Sequence, residues 1–66
     1  MINYQKVVKE LRDKLIMTQK EFADLLGVSF ASVNRWETGL NKPTTEAKRK
    51  IVKLCKDNFV VLEERD

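Results

Sequence analysis

The sequence predicts an all-α fold, a compact bundle of four to five helices. Three observations predict it. Apolar residues recur at three- and four-residue spacing in four separate stretches, the pattern of helices with one buried stripe. Each stretch opens at a residue that can cap a helix, Asn3, Thr18, Ser29 or Thr44. The two glycines and the single proline, Gly27, Gly39 and Pro43, fall between stretches and punctuate them.

The first helix is expected over residues 4–16. Val7, Val8, Leu11 and Leu15 form its stripe, Asn3 caps it, and Ile2 can staple onto Val7. The second opens at Thr18, with Glu21 three residues on to complete a capping box and Met17 and Phe22 in the staple positions. Phe22, Leu25 and Leu26 are expected on one buried face, and Gly27 supplies the left-handed end. In the third helix Ser29 is the cap and Val28 and Val33 form the staple, before Gly39 ends it. Val33, Trp36 and Glu37 lie inward, which leaves Phe30, Ala31, Asn34, Arg35 and Thr38 outward. The spacing of Trp36 from Val33 assigns it to the core rather than to base stacking. Residues 40–43 are a loop that Pro43 keeps from being helical.

The fourth helix begins near Thr44 or Thr45, with Glu46 in its positive first turn. Ala47, Ile51, Leu54 and Cys55 are its stripe, and residues 57–58 a plausible stop. Residues 59–62 are a short apolar run of unassigned period, which either packs on the monomer core or meets a partner.

Sixty-six residues are expected to make one domain with a thin core, the motif occupying residues 18–38. Cys55 is the only cysteine and there is no histidine, which rules out a disulfide framework and the usual zinc constellations. No metal or cofactor is expected. The lone thiol fits a reducing, cytoplasmic setting. No apolar run reaches the ~20 residues of a membrane span, so no membrane association is expected. Catalysis is not expected. There is no histidine base, Ser29 and Ser32 read as a cap and a contact, no GxxxxGK loop is present, and the carboxylates stand singly on helical faces.

Charge is unevenly distributed. Residues 1–34 carry five basic and four acidic side chains, residues 35–56 seven against two, and residues 57–66 one against four. The basic block is the distribution expected of a surface that binds a polyanion, although lysines 48–56 can equally solvate an outer helix face.

Gln19, Ala23, Gly27, Val33 and Trp36 complete the picture by their spacing. Ala23 suits the point where two helices cross tightly, Gly27 the positive φ of a short turn, and Val33 with Trp36 the wedge between the helices. Together with the exit Arg35-Trp36-Glu37-Thr38-Gly39, this pattern resembles the phage-repressor (Cro/C1, Xre-like) helix-turn-helix family over roughly residues 7–55. The resemblance implies a lambda-repressor-like fold that binds double-stranded DNA as a homodimer, with residues 29–38 in the major groove.

Carried over residue by residue, the base-facing positions are Phe30, Ala31, Ser32, Asn34 and Arg35. Arg35 suits guanine and Asn34 adenine or a phosphate, while Phe30 and Ala31 have only an apolar surface to offer. Better-known repressors often carry glutamines at the first positions of this helix, and this chain does not. For Phe30 a core position stays open, and for Arg35 a phosphate contact or surface salt bridge. Gln19, Thr38, Asn41, Lys42, Thr44 and Thr45 are the phosphate candidates, and Lys14 and Lys20 weaker ones. The family register also pairs Arg12 with Glu37 as a largely buried ion pair that joins helix 1 to the end of helix 3.

Three jobs follow. The first is sequence-specific regulation of transcription as a repressor-like protein. The second is tethering a larger restriction- or methylation-type protein to DNA, with residues 57–66 as the start of a linker rather than a dimerisation tail. The third is a protein-interaction module, favoured by the apolar Phe30–Ala31 start of helix 3.

Overall fold

A computed structural model describes residues 2–60. The fold is all-α, with α1 (Tyr4–Leu15), α2 (Gln19–Leu26), α3 (Phe30–Thr38) and α4 (Thr45–Asp57) in chain order. α3 packs against both α1 and α2, and α4 against α1.

Every helix start is held by a local side chain. Asn3 accepts from the Lys6 amide, Ser29 from Ser32 and Thr44 from Ala47. At α2 the capping box is reciprocal. The Glu21 amide donates to Thr18 Oγ1 at 3.1 Å and the Thr18 amide to Glu21 Oε1 at 2.9 Å.

Three helix ends close alike. At α2, Gly27 is left-handed (φ 71°), its amide donates to the Asp24 carbonyl and that of Val28 to the Ala23 carbonyl. These two bonds satisfy carbonyls that would otherwise be orphaned. Gly39 (φ 81°) ends α3 in the same way, with Leu40 bonded to the Arg35 carbonyl.

α1 stops one residue short of expectation, because Ile16 leaves the helix in the left-handed conformation (φ 55°). The motif that glycine makes elsewhere is here made by a β-branched residue. The Ile16 amide donates to Asp13 and that of Met17 to Arg12. α4 runs to Asp57, and Asn58 closes it by bonding the Leu54 carbonyl through both its amide groups.

The centre of the core is Phe22, Leu11, Ile51, Val8, Val33 and Cys55, with Ala23 and Trp36 also buried. Ile2, Leu15, Met17, Leu54 and Val60 pack partly buried around it. Leu25 corrects the expectation for α2, since it is 48% exposed. At about 100° per residue, Phe22, Leu26 and Ala23 fall within one arc of the helix and Leu25 lies outside it. The small Ala23 turns its side of α2 inward, and Leu25 rolls out to solvent. Phe59 is exposed in a left-handed conformation and Val60 packs on the core, whereas the rest of the run expected at residues 59–62 lies outside the described residues.

Candidate nucleic-acid interface

α3 is a nine-residue helix with two unlike sides. Val33 and Trp36 are buried between its neighbours. On the other side Phe30 (53% exposed), Ala31, Asn34, Arg35 and Thr38 all face solvent, so the ring of Phe30 is not a core residue. Asn34 and Arg35 make no side-chain hydrogen bond or ion pair within the described residues. Ser32 is half-buried, and its Oγ lies 2.9 Å from Ser29 Oγ inside the cap. The Thr38 hydroxyl donates its one hydrogen back to the Asn34 carbonyl at 2.9 Å, so it has to release that carbonyl before it can donate to a phosphate.

The far end of α3 is anchored by Arg12. Its Nε and Nη2 donate to Glu37 Oε2 and Oε1 at 2.8 and 3.0 Å, a bidentate pair across 25 positions of sequence. Its Nη1 donates to the Met17 carbonyl at 3.1 Å, so one guanidinium joins α1, the α1–α2 junction and α3. The pair is largely out of water, with side-chain exposures of 18% for Arg12 and 8% for Glu37. Burial pushes the Glu37 carboxyl up. The hydrogen bond from Arg12, the nearby Gln19 side chain and the charges of Arg12 and Lys9 outweigh it and hold the group below its ordinary value. Arg12 is raised in turn, chiefly by its hydrogen bond to Glu37.

Gln19, the first residue of α2, lies beside Glu37 at that same far end of α3, half-buried and directly after the Thr18 cap. Asn41 and Lys42 are exposed and share a shallow cleft of 150 Å³ with the start of α1, Gly39 and Trp36. Thr44 uses its oxygen to cap α4, and Thr45 is exposed beside it.

The basic block of the sequence divides in three dimensions. Lys48, Arg49, Lys53 and Lys56 line a groove on α4 with Tyr4, and no residue of α2 or α3 contributes to it. Lys48 lies over the Tyr4 ring, 5.3 Å from its centroid. Lys50 does something that sequence reasoning missed. Its ammonium donates to the carbonyl of Leu26 at 3.0 Å and so joins α4 to the end of α2, just before the turn. No local signal marks it, because the acceptor is a backbone oxygen 24 residues away.

Two capped helices bent around a left-handed glycine, with the second open along its outer side, define a DNA-binding helix-turn-helix domain. The helix-turn-helix family model matches residues 8–56, and the chain belongs to that family, in its phage-repressor-like (Xre, Cro and C1) form. A stretch of 45 residues is 51% identical to the type II methyltransferase M.SsoII of Shigella sonnei. The match takes in 64% of this chain and 12% of the methyltransferase, so the chain spans a small part of that relative's length. No solved structure matches the chain.

Proposed function

We propose that this chain binds double-stranded DNA sequence-specifically as a repressor-like regulator of transcription, with α3 in the major groove. The observation that carries the reading is the outer side of α3. It is uncharged apart from Arg35, is open to solvent, and is held at both ends by Ser29 and the Arg12–Glu37 pair. Arg35 and Asn34 are the polar base readers, with Phe30, Ala31 and Ser32 at the leading end. Gln19, Thr38, Asn41, Lys42, Thr44 and Thr45 bind phosphates and set the register. The protein works as a homodimer on an inverted repeat, whose half-sites then lie about 34 Å apart. It acts in the cytoplasm, needs no metal or cofactor, and is not an enzyme.

A second reading is favoured by the relative. A segment resembling this chain forms part of a methyltransferase, so a module of this kind can also place a longer protein on DNA.

Selection from a random duplex library tests the proposal. The expected product is an inverted repeat, bound with an affinity that falls by orders of magnitude between 50 and 200 mM salt. Failure to enrich any duplex, or binding indifferent to salt, overturns it and favours a protein partner.

A further inference from the structure

We propose that the leading end of α3 reads the C5-methyl group of a pyrimidine lying beside a guanine. The inference rests on α3 being the helix that enters the groove. Recognition helices meet base edges with their N-terminal residues, and here those are Phe30 and Ala31. Both are exposed and neither carries a polar side-chain atom, so neither can read the donors and acceptors that distinguish base pairs. Ser32, the third residue, has its hydroxyl 2.9 Å from Ser29 within the helix cap. The first turn of α3 therefore offers the groove mostly apolar surface.

The major groove offers one apolar group in return, the methyl at pyrimidine C5. Thymine carries it, and so does cytosine once methylated at that carbon. Uracil and unmodified cytosine present only hydrogen there. Burying a methyl against the Phe30 ring and Ala31 Cβ removes apolar surface of both partners from water. The guanine follows from Arg35. It stands four residues after Ala31 and so shares its face of the helix, exposed and unpaired within the described residues. An arginine there suits guanine O6 and N7, next to the base whose methyl meets the first turn.

Three random duplex libraries test this: one natural, one with uracil for every thymine, and one with 5-methylcytosine for every cytosine. The natural library is expected to return a site in which uracil at one thymine of each half weakens binding about four-fold. At the same place 5-methylcytosine is expected to bind better than cytosine. The two arms separate the sources of the methyl. A response at thymine alone assigns natural sequence readout, and an equal or larger response at 5-methylcytosine assigns methylated DNA; either supports the proposal.

Phe30→Ser is expected to fold, since Phe30 lies outside the core, and to bind the thymine and uracil duplexes within two-fold of each other. Wild-type affinities within two-fold across every uracil and 5-methylcytosine replacement overturn the methyl reading while leaving DNA binding intact. A uracil penalty that persists undiminished in both Phe30→Ser and Ala31→Ser overturns the assignment to these residues. Enrichment from none of the libraries overturns this inference together with the function on which it rests.

Discussion

Ile16 holds a left-handed backbone, φ 55°, while its side chain is 90% exposed and packs on almost nothing. A residue with a Cβ adopts that conformation at about 1–2 kcal/mol, more for a β-branched one. Ile16→Gly removes the strain and adds back some unfolded-chain entropy, so a net gain of about 0.5–1 kcal/mol is expected. Thermal unfolding followed by circular dichroism should show a melting temperature several degrees higher, and an unchanged or lower value refutes the strain. Glu37 works in the opposite sense. Its removal in Glu37→Ala strands the Arg12 guanidinium between helices, and a loss of about 3 kcal/mol is expected in urea unfolding. A change below about 1 kcal/mol reduces the pair to a surface contact.

The same carboxyl sets a pH dependence. Its folded-state pKa lies below the ordinary 4.5, so its contribution is complete above 4.5 and is lost as pH falls through the depressed value. Stability should therefore drop below about pH 4.5, and Glu37→Gln should flatten that drop. Glu21 is lowered as well, by the Thr18 backbone and side chain, so a residual slope in the variant is expected.

At the scale of the helices, starts were more legible than ends. A cap and its amide are three residues apart, so Asn3, Thr18, Ser29 and Thr44 declare themselves locally. Gly27 and Gly39 mark two ends because the left-handed conformation selects glycine. The end of α1 carries no such mark, since Ile16 is pushed into that conformation by the turn toward α2. Leu25 and Lys50 escaped for a related reason. Their environments depend on how α2 rolls and where α4 passes, and no periodicity encodes either. Arg12–Glu37 spans 25 positions and was legible only through the family resemblance. Two variants separate the roles proposed along the motif. Arg35→Ala is expected to relax preference at one base pair by about 1–3 kcal/mol, whereas Gln19→Ala is expected to weaken all duplexes about equally. Competition binding against single-base variants of the selected site distinguishes them, and identical profiles contradict the assignment.

At the scale of the whole molecule, the arrangement of charge matters more than the net of +3. The Arg12 charge is matched internally by Glu37 and the Lys50 ammonium is drawn to a carbonyl, so neither is a free cation for phosphate. Arg35 remains beside the proposed contact surface, and four more cations line the groove on α4. Because α3 contributes nothing to that groove, a duplex held by α3 alone leaves a second cationic face of the protein uncovered. Cation-exchange resins and heparin columns, which respond to any accessible lysine or arginine, will retain the protein through α4 even when α3 has been disabled. Elution position is thus a misleading gauge of the duplex recognition proposed for α3, and variants of α3 have to be ranked on defined duplexes with excess non-specific competitor.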